Sequence, residues 1–198
     1  MNMLGTEVKQ NDKLKCKAGE VLNLKCETSG GNPAAKLEWK VNGIIIKSSK
    51  NLISQSSDGS WRTESIITLP ISKNDHNALI VCQVIHKSLT SSLISEAVLN
   101  VFFPPVVNSL IKPLQPFTEG DSVTLLCESV SNPRSKVSWK RIDYGKTLLI
   151  RDSIIHLPKV SREDAGTYQC EAENELGISQ PSVQIIDVLC KYLKDYSF

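Results

Sequence analysis

The chain contains one pattern written twice. Gly19-Glu20-Val21-Leu22-Asn23-Leu24-Lys25-Cys26 returns downstream as Gly120-Asp121-Ser122-Val123-Thr124-Leu125-Leu126-Cys127, Asn32-Pro33 returns as Asn132-Pro133, and Trp39-Lys40 as Trp139-Lys140. A duplication on this scale restricts the possible folds more than any other feature, because each copy must close its own core with the same set of elements. A chain of 198 residues has room for two such units of about 100 residues each.

Inside each copy the apolar residues recur with period two. Leu22, Leu24 and Cys26 alternate with Asn23 and Lys25, and Leu37, Trp39 and Val41 alternate with Lys36, Glu38 and Lys40. That spacing describes strands with one buried and one wet face. Pro33 and Pro133 cannot donate to a ladder and punctuate the connection that follows the cysteine strand. Asn42-Gly43 is a pair suited to positive φ and predicts a tight hairpin. The pattern predicts strands over 21–26, 36–41, 61–69, 79–86 and 92–103 in the first copy, and over 122–130, 136–142, 153–157, 166–174 and 178–188 in the second. No segment sustains helical periodicity, so the fold class is all-β, with two sandwiches in tandem.

The stretch Asp164-Ala165-Gly166-Thr167-Tyr168-Gln169-Cys170, with Cys127 and Trp139 upstream, resembles the signature of an I-set immunoglobulin domain over about residues 105–187. The resemblance implies that a Cys127–Cys170 disulfide crosses the core, that Trp139 packs on it, and that the Tyr168 hydroxyl bonds back to the backbone at the corner entering its strand. In the first copy, Gly30-Gly31-Asn32-Pro33-Ala34-Ala35-Lys36-Leu37-Glu38-Trp39, Leu79-Ile80-Val81-Cys82 and the exit Val98-Leu99-Asn100-Val101-Phe102-Phe103-Pro104-Pro105 resemble the C2-type domain of nephrin, Kirre and Sidestep-like adhesion receptors. Six cysteines allow 15 pairings by arithmetic. The resemblance selects Cys26–Cys82 for the first copy, with Trp39 in its core. Ile80 stands where the second copy has Tyr168, so the first lacks the tyrosine corner, and Asn74-Asp75-His76-Asn77-Ala78 replaces Glu163-Asp164-Ala165-Gly166. The expected organisation is a C2-type domain at 1–103, an I-set domain at 104–188 and a tail at 189–198. Pro104-Pro105 stiffens the junction and predicts an elongated pair.

Two disulfides imply an oxidising compartment, hence a secreted or cell-surface location. The chain as written carries no apolar run of about 18 residues for a membrane span and no apolar core of leader length near Met1. It is therefore expected to be a fragment of a longer ectodomain. A net charge of +2 with 22% charged residues argues against a nucleic-acid partner. His76, His86 and His156 are scattered and match no metal-ligand spacing, the cysteines serve disulfides, and no glycine-rich phosphate loop occurs. No catalytic residue, metal, cofactor or small-molecule substrate is expected. The resemblance implies a non-catalytic recognition and cell-adhesion module whose partner is a cell-surface immunoglobulin-superfamily protein, homophilic or heterophilic. A secreted soluble recognition protein and a structural segment of an extracellular-matrix array are the alternatives.

The candidate protein-binding face lies on the first copy. Lys36, Glu38, Lys40, Gln83, Ile85 and Lys87 have the opposite parity to Trp39 and Cys82 and should point outward from the sheet that holds those two residues. The mixed charge around Ile85 suits a small specific interface with a polar rim. No Asn-x-Ser/Thr sequon is present to shield either copy with N-glycans. Lys13, Lys15 and Lys17 also recur with period two. They are read as a lysine-guarded strand edge in preference to a polysaccharide site. Cys16 and Cys190 are left over near opposite ends of the predicted rod, too far apart to pair within one extended molecule. They are expected to be free or to pair with segments outside this chain, in preference to linking two chains.

Overall fold

Alternating runs condense into antiparallel sheets because each buries one face only, and two such faces close a core. The computed structural model describes residues 2–3, 6–7, 12–143 and 146–189 and divides between Phe102 and Phe103 into two compact units. The first holds β1 (Asn2–Met3), β2 (Thr6–Glu7), β3 (Asp12–Lys17), β4 (Val21–Gly31), β5 (Lys36–Val41), β6 (Ile44–Ile46), β7 (Lys50–Gln55), β8 (Trp61–Pro70), β9 (Leu79–Ile85) and the start of β10 (Leu93–Lys112). One sheet has the order β2-β1-β4-β8-β7. The other runs β10-β9-β5-β6, with β3 parallel to β10 on its outer side. Cys26 of β4 and Cys82 of β9 join the sheets at a Cα–Cα distance of 6.5 Å. Trp39 is fully buried, and its Nε1–H donates to Ser65 Oγ at 3.0 Å. Asn42 and Gly43 both take positive φ, 48° and 81°, in the hairpin between β5 and β6.

The second unit uses the remainder of β10, then β11 (Phe117–Thr118), β12 (Val123–Asn132), β13 (Lys136–Asp143), β14 (Lys146–Ile150), β15 (Ile154–Leu157), β16 (Gly166–Asn174), β17 (Gly177–Ile178), β18 (Ser182–Ile186) and β19 (Val188–Leu189). β12 lies between β10 and β15, and the facing sheet runs β14-β13-β16, with β17 and β18 both on β16. Cys127 and Cys170 are bonded across the core at a Cα–Cα distance of 6.2 Å. Trp139 is fully buried beside them and donates Nε1–H to Ser153 O at 3.3 Å. Tyr168 is buried too, and its hydroxyl donates to Asp164 O at 3.0 Å.

The turns before β9 and β16 are more alike than their sequences suggest. Each is one 3₁₀ turn, Lys73–Asp75 and Arg162–Asp164, held by an acid that accepts from the preceding serine. Ser72 N–H and Oγ–H donate to Asp75 Oδ2, as Ser161 N–H and Oγ–H do to Asp164 Oδ2. The first copy spends one more residue before its cysteine, and Asn77 absorbs it at φ 66°. One expected strand is interrupted. The run 178–188 is broken between β17 and β18, where Pro181 has no N–H for the ladder and Ser179 Oγ accepts the N–H of Ala172 at 3.1 Å. β6, β7 and β14 lack clear alternation and escape a periodicity reading.

Candidate protein-binding face

Register decides which side chains share the outer face of the β5–β9 sheet. Trp39 stands opposite Cys82 and points into the core, so parity turns Lys36, Glu38 and Lys40 outward, opposite Ile85, Gln83 and Val81. Lys40 Nζ donates to Gln83 Oε1 at 2.8 Å and lies 3.7 Å from Glu38 Oε1, while Lys36 Nζ donates to Glu38 Oε2 at 3.5 Å. Glu38 thus sits between two ammonium groups. Lys87 is exposed but follows the end of β9, in the turn where strand parity no longer applies. That turn is braced by His86, whose Nε2–H donates to Pro33 O at 2.8 Å while Nδ1 accepts the Ser88 N–H at 3.2 Å.

Neighbouring strands add residues that the sequence reading omitted. Ile94 of β10 stands opposite Gln83 and Glu96 opposite Val81, and Ile45 of β6 stands opposite Lys40. Ile94 is 52% and Ile45 62% exposed, so with Ile85 and Leu79 they set apolar side chains among the charges. Only the cross-strand register brings them there; the run Ile44-Ile45-Ile46 has no alternation to show which residue points out. β3 extends the same sheet past β10, with Leu14 and Cys16 buried and Lys13, Lys15 and Lys17 exposed. Lys13 pairs in register with Val98 and Lys15 with Asn100, so the lysine row borders this face.

The outer face of the opposite sheet is different in kind. Lys25, Glu27, Arg62 and Glu64 form one ion network across β4 and β8, with Lys25 Nζ 2.7 Å and Arg62 Nη2 2.8 Å from Glu27 Oε2. The hydrogen bonds from Lys25 and Arg62 hold the Glu27 carboxyl below its ordinary value. Its charges are satisfied by one another.

The histidines do not converge. His76 Nδ1 accepts the Val101 N–H at 3.2 Å, and His156 Nδ1 lies 2.9 Å from Thr124 Oγ1 in the second unit. Among the described residues no group of acids, histidines and cysteines could hold a metal ion. Cys16 is a buried free thiol, raised by burial and by the charges of Glu20 and Asp75. Cys190 lies outside the described residues.

Two family models match the chain: a CD80-like C2-set immunoglobulin domain over residues 6–92 and an immunoglobulin domain over residues 104–174. Cell adhesion molecule 2 of Rattus norvegicus is 29% identical over 176 residues, which is 85% of this chain and 40% of the relative. Cell adhesion molecule 2 of Xenopus tropicalis is 31% identical over 177 residues, with the same shares of 85% and 40%. The chain therefore spans about 40% of the length of these relatives, which form a non-enzymatic family. Among solved structures, the full ectodomain of mouse nectin-like molecule 4 matches with a TM-score of 0.72 at 23% identity, over 93% of this chain and 62% of that one. Two disulfide-pinned sandwiches with a buried tryptophan each, matched along their length by two immunoglobulin-domain models, place this chain in the immunoglobulin superfamily.

Proposed function

We propose that this chain is a non-catalytic adhesion module of an extracellular or cell-surface protein, and that it binds another protein through the outer face of β5, β9 and β10 in the first unit. The observation that carries the reading is the contrast between the two faces of that unit. One is laced by an ion network that satisfies its own charges. The other exposes Ile45, Ile85 and Ile94 among Lys36, Glu38, Lys40 and Glu96. Apolar anchors inside a polar rim are the composition of a protein interface, whereas a self-paired charge layer gains little from a partner. The absence of sequons leaves the face open. Relatives named cell adhesion molecules support the class of partner, a cell-surface protein of the same superfamily.

The test is a bead-aggregation and cell-binding assay with the two-unit chain. Ile94→Glu with Lys40→Glu, placed at the centre of the face, should reduce binding about tenfold or more, the loss expected when an interface anchor and its charge neighbour are reversed. Lys25→Glu with Arg62→Glu on the opposite face is the control and should leave binding in place. Undiminished binding by the first pair refutes the assignment of the face.

A further inference from the structure

The first unit has an open side where β6 ends one sheet and β7 ends the other, and the backbone edge there is used neither by the fold nor by the proposed face. Among the described residues β6 pairs only with β5, so one side of its backbone is unpaired. Ile44 is 72% and Ile45 62% exposed. An exposed apolar edge is a template for another strand, and soluble proteins usually blunt such edges with charge, proline or a bulge. Ile44-Ile45-Ile46 has none of these.

Beside the edge is a groove of about 460 Å³ whose lining includes Ala35, Leu37, Ile46, Ile53 and Thr63. Ile53 stands opposite Thr63 in the β7–β8 register, on the inward side of its sheet, yet it is 59% exposed. The sandwich is not closed here. Thr63 itself is 5% exposed, and its Oγ1 is buried with no hydrogen-bond partner. A buried hydroxyl without a partner is costly, and an incoming group that satisfies it is favoured. A larger groove in the second unit, about 740 Å³, does not share this property: its Lys140 and Glu171 pair with each other, and no buried side-chain polar atom among the described residues there lacks a partner.

The rim is basic. Lys47 follows β6, exposed and without an acidic partner among the described residues, and Lys36 shares Glu38 with Lys40; Lys36 and Lys47 both line the groove. We propose that this edge takes up an extended acidic segment of a partner protein, which adds as a strand to β6 and seats one tyrosine-like side chain in the groove. Val41 and Trp39 pair with Ile44 and Ile46, so a residue added opposite either isoleucine turns toward the groove. Its apolar body lies against Leu37 and Ile53, and its hydroxyl tip meets Thr63 Oγ1. The residues on either side of it turn outward, where carboxylates meet the lysines. Backbone pairing supplies affinity and the alternate side chains supply selectivity, as in other strand-addition complexes. This site is the edge and interior of the sheet; it adjoins the outer face proposed above and shares Ile45 and Lys36 with it.

The experiment titrates capped nine-residue peptides into the two-unit chain and follows backbone amide NMR shifts. The probe has a central tyrosine flanked by glutamates, with valine and glutamate alternating outward. One comparison peptide has phenylalanine at the centre, and another has lysine in place of every glutamate. Shifts should concentrate on Ile44–Ile46 and Thr63, and the glutamate peptide should bind about tenfold or more tightly than the lysine peptide. Lys47→Glu should narrow that preference several-fold. Thr63→Val should weaken the tyrosine peptide about fivefold, leave the phenylalanine peptide unchanged and not lower the melting temperature. No shifts at millimolar peptide, shifts confined to β9 and β10, equal binding of both charge types, or equal loss of both central residues in Thr63→Val would each overturn the proposal. A dimer that Ile45→Lys dissolves and that excludes the peptide would assign the edge to a second copy of this chain instead.

Discussion

Tyr168→Phe tests the corner hydrogen bond of the second unit. The ring of Tyr168 stays where it is, packed in a core with Cys170, Trp139 and Val160, and a phenylalanine fills the same volume. The Arg141 guanidinium, 5.6 Å from the ring centroid, keeps its aromatic partner. The substitution removes the donation from the hydroxyl to Asp164 O at 3.0 Å. A net hydrogen bond contributes about 1 kcal/mol, and nearer 2 if the freed carbonyl stays dry. For a domain of under about 100 residues, each kcal/mol moves the melting temperature by roughly 4–8 °C. Differential scanning calorimetry of the two-unit chain should therefore show the transition of the second unit lowered by about 4–8 °C or somewhat more, with that of the first unit unmoved. The first unit is an internal reference because Ile80, fully buried at the equivalent place, makes no such bond. An unshifted second transition would show that the corner hydroxyl adds nothing to stability, and an equal shift of both would show that the two units do not unfold separately.

Two further outcomes follow from the same structure. Replacing Cys127 and Cys170 together by alanine removes a cross-link over 43 residues, a loss of about 4 kcal/mol in the chain-entropy model. Against a domain stability of about 5–15 kcal/mol, the second unit should be strongly destabilised or unfolded, read by the loss of its amide exchange protection, while Cys26–Cys82 keeps the first unit folded. Glu27 predicts an acid dependence of the first unit. Its folded pKa lies below the ordinary 4.5, so its contribution is present above that value and is lost as pH falls through the folded pKa. The carboxylate is well exposed and screened, so the effect is modest. Glu27→Gln should flatten the acid slope of urea unfolding in the first unit, and an unchanged slope would remove Glu27 as its source.

The repeated Cys, Trp and alternating strands were legible because they are local: period two states which side of its own strand a residue occupies, and a cysteine strand with a downstream tryptophan states that two sheets face each other. Lys36, Glu38, Lys40, Gln83 and Ile85 could be placed outward on that basis alone. What parity cannot state is which residue lies beside which across a ladder, since register depends on pairings far apart in the chain. Ile94, Glu96 and Ile45 therefore joined the face only in the folded molecule, and Lys87 fell outside strand parity because β9 ends at Ile85. The shared turn geometry of Asp75 and Asp164 was hidden by one extra residue, which Asn77 takes up in a left-handed conformation. Thr63 gives no sign in the sequence of being exceptional. A threonine in an alternating strand reads as ordinary, and only the fold leaves its hydroxyl buried and unbonded. By itself the sequence determined the class of fold, its duplication and the inward or outward sense of each strand residue, all properties of short stretches. Register, the closure of the sandwich and the free edge at β6 were decided by the tertiary structure, because they arise where distant segments meet.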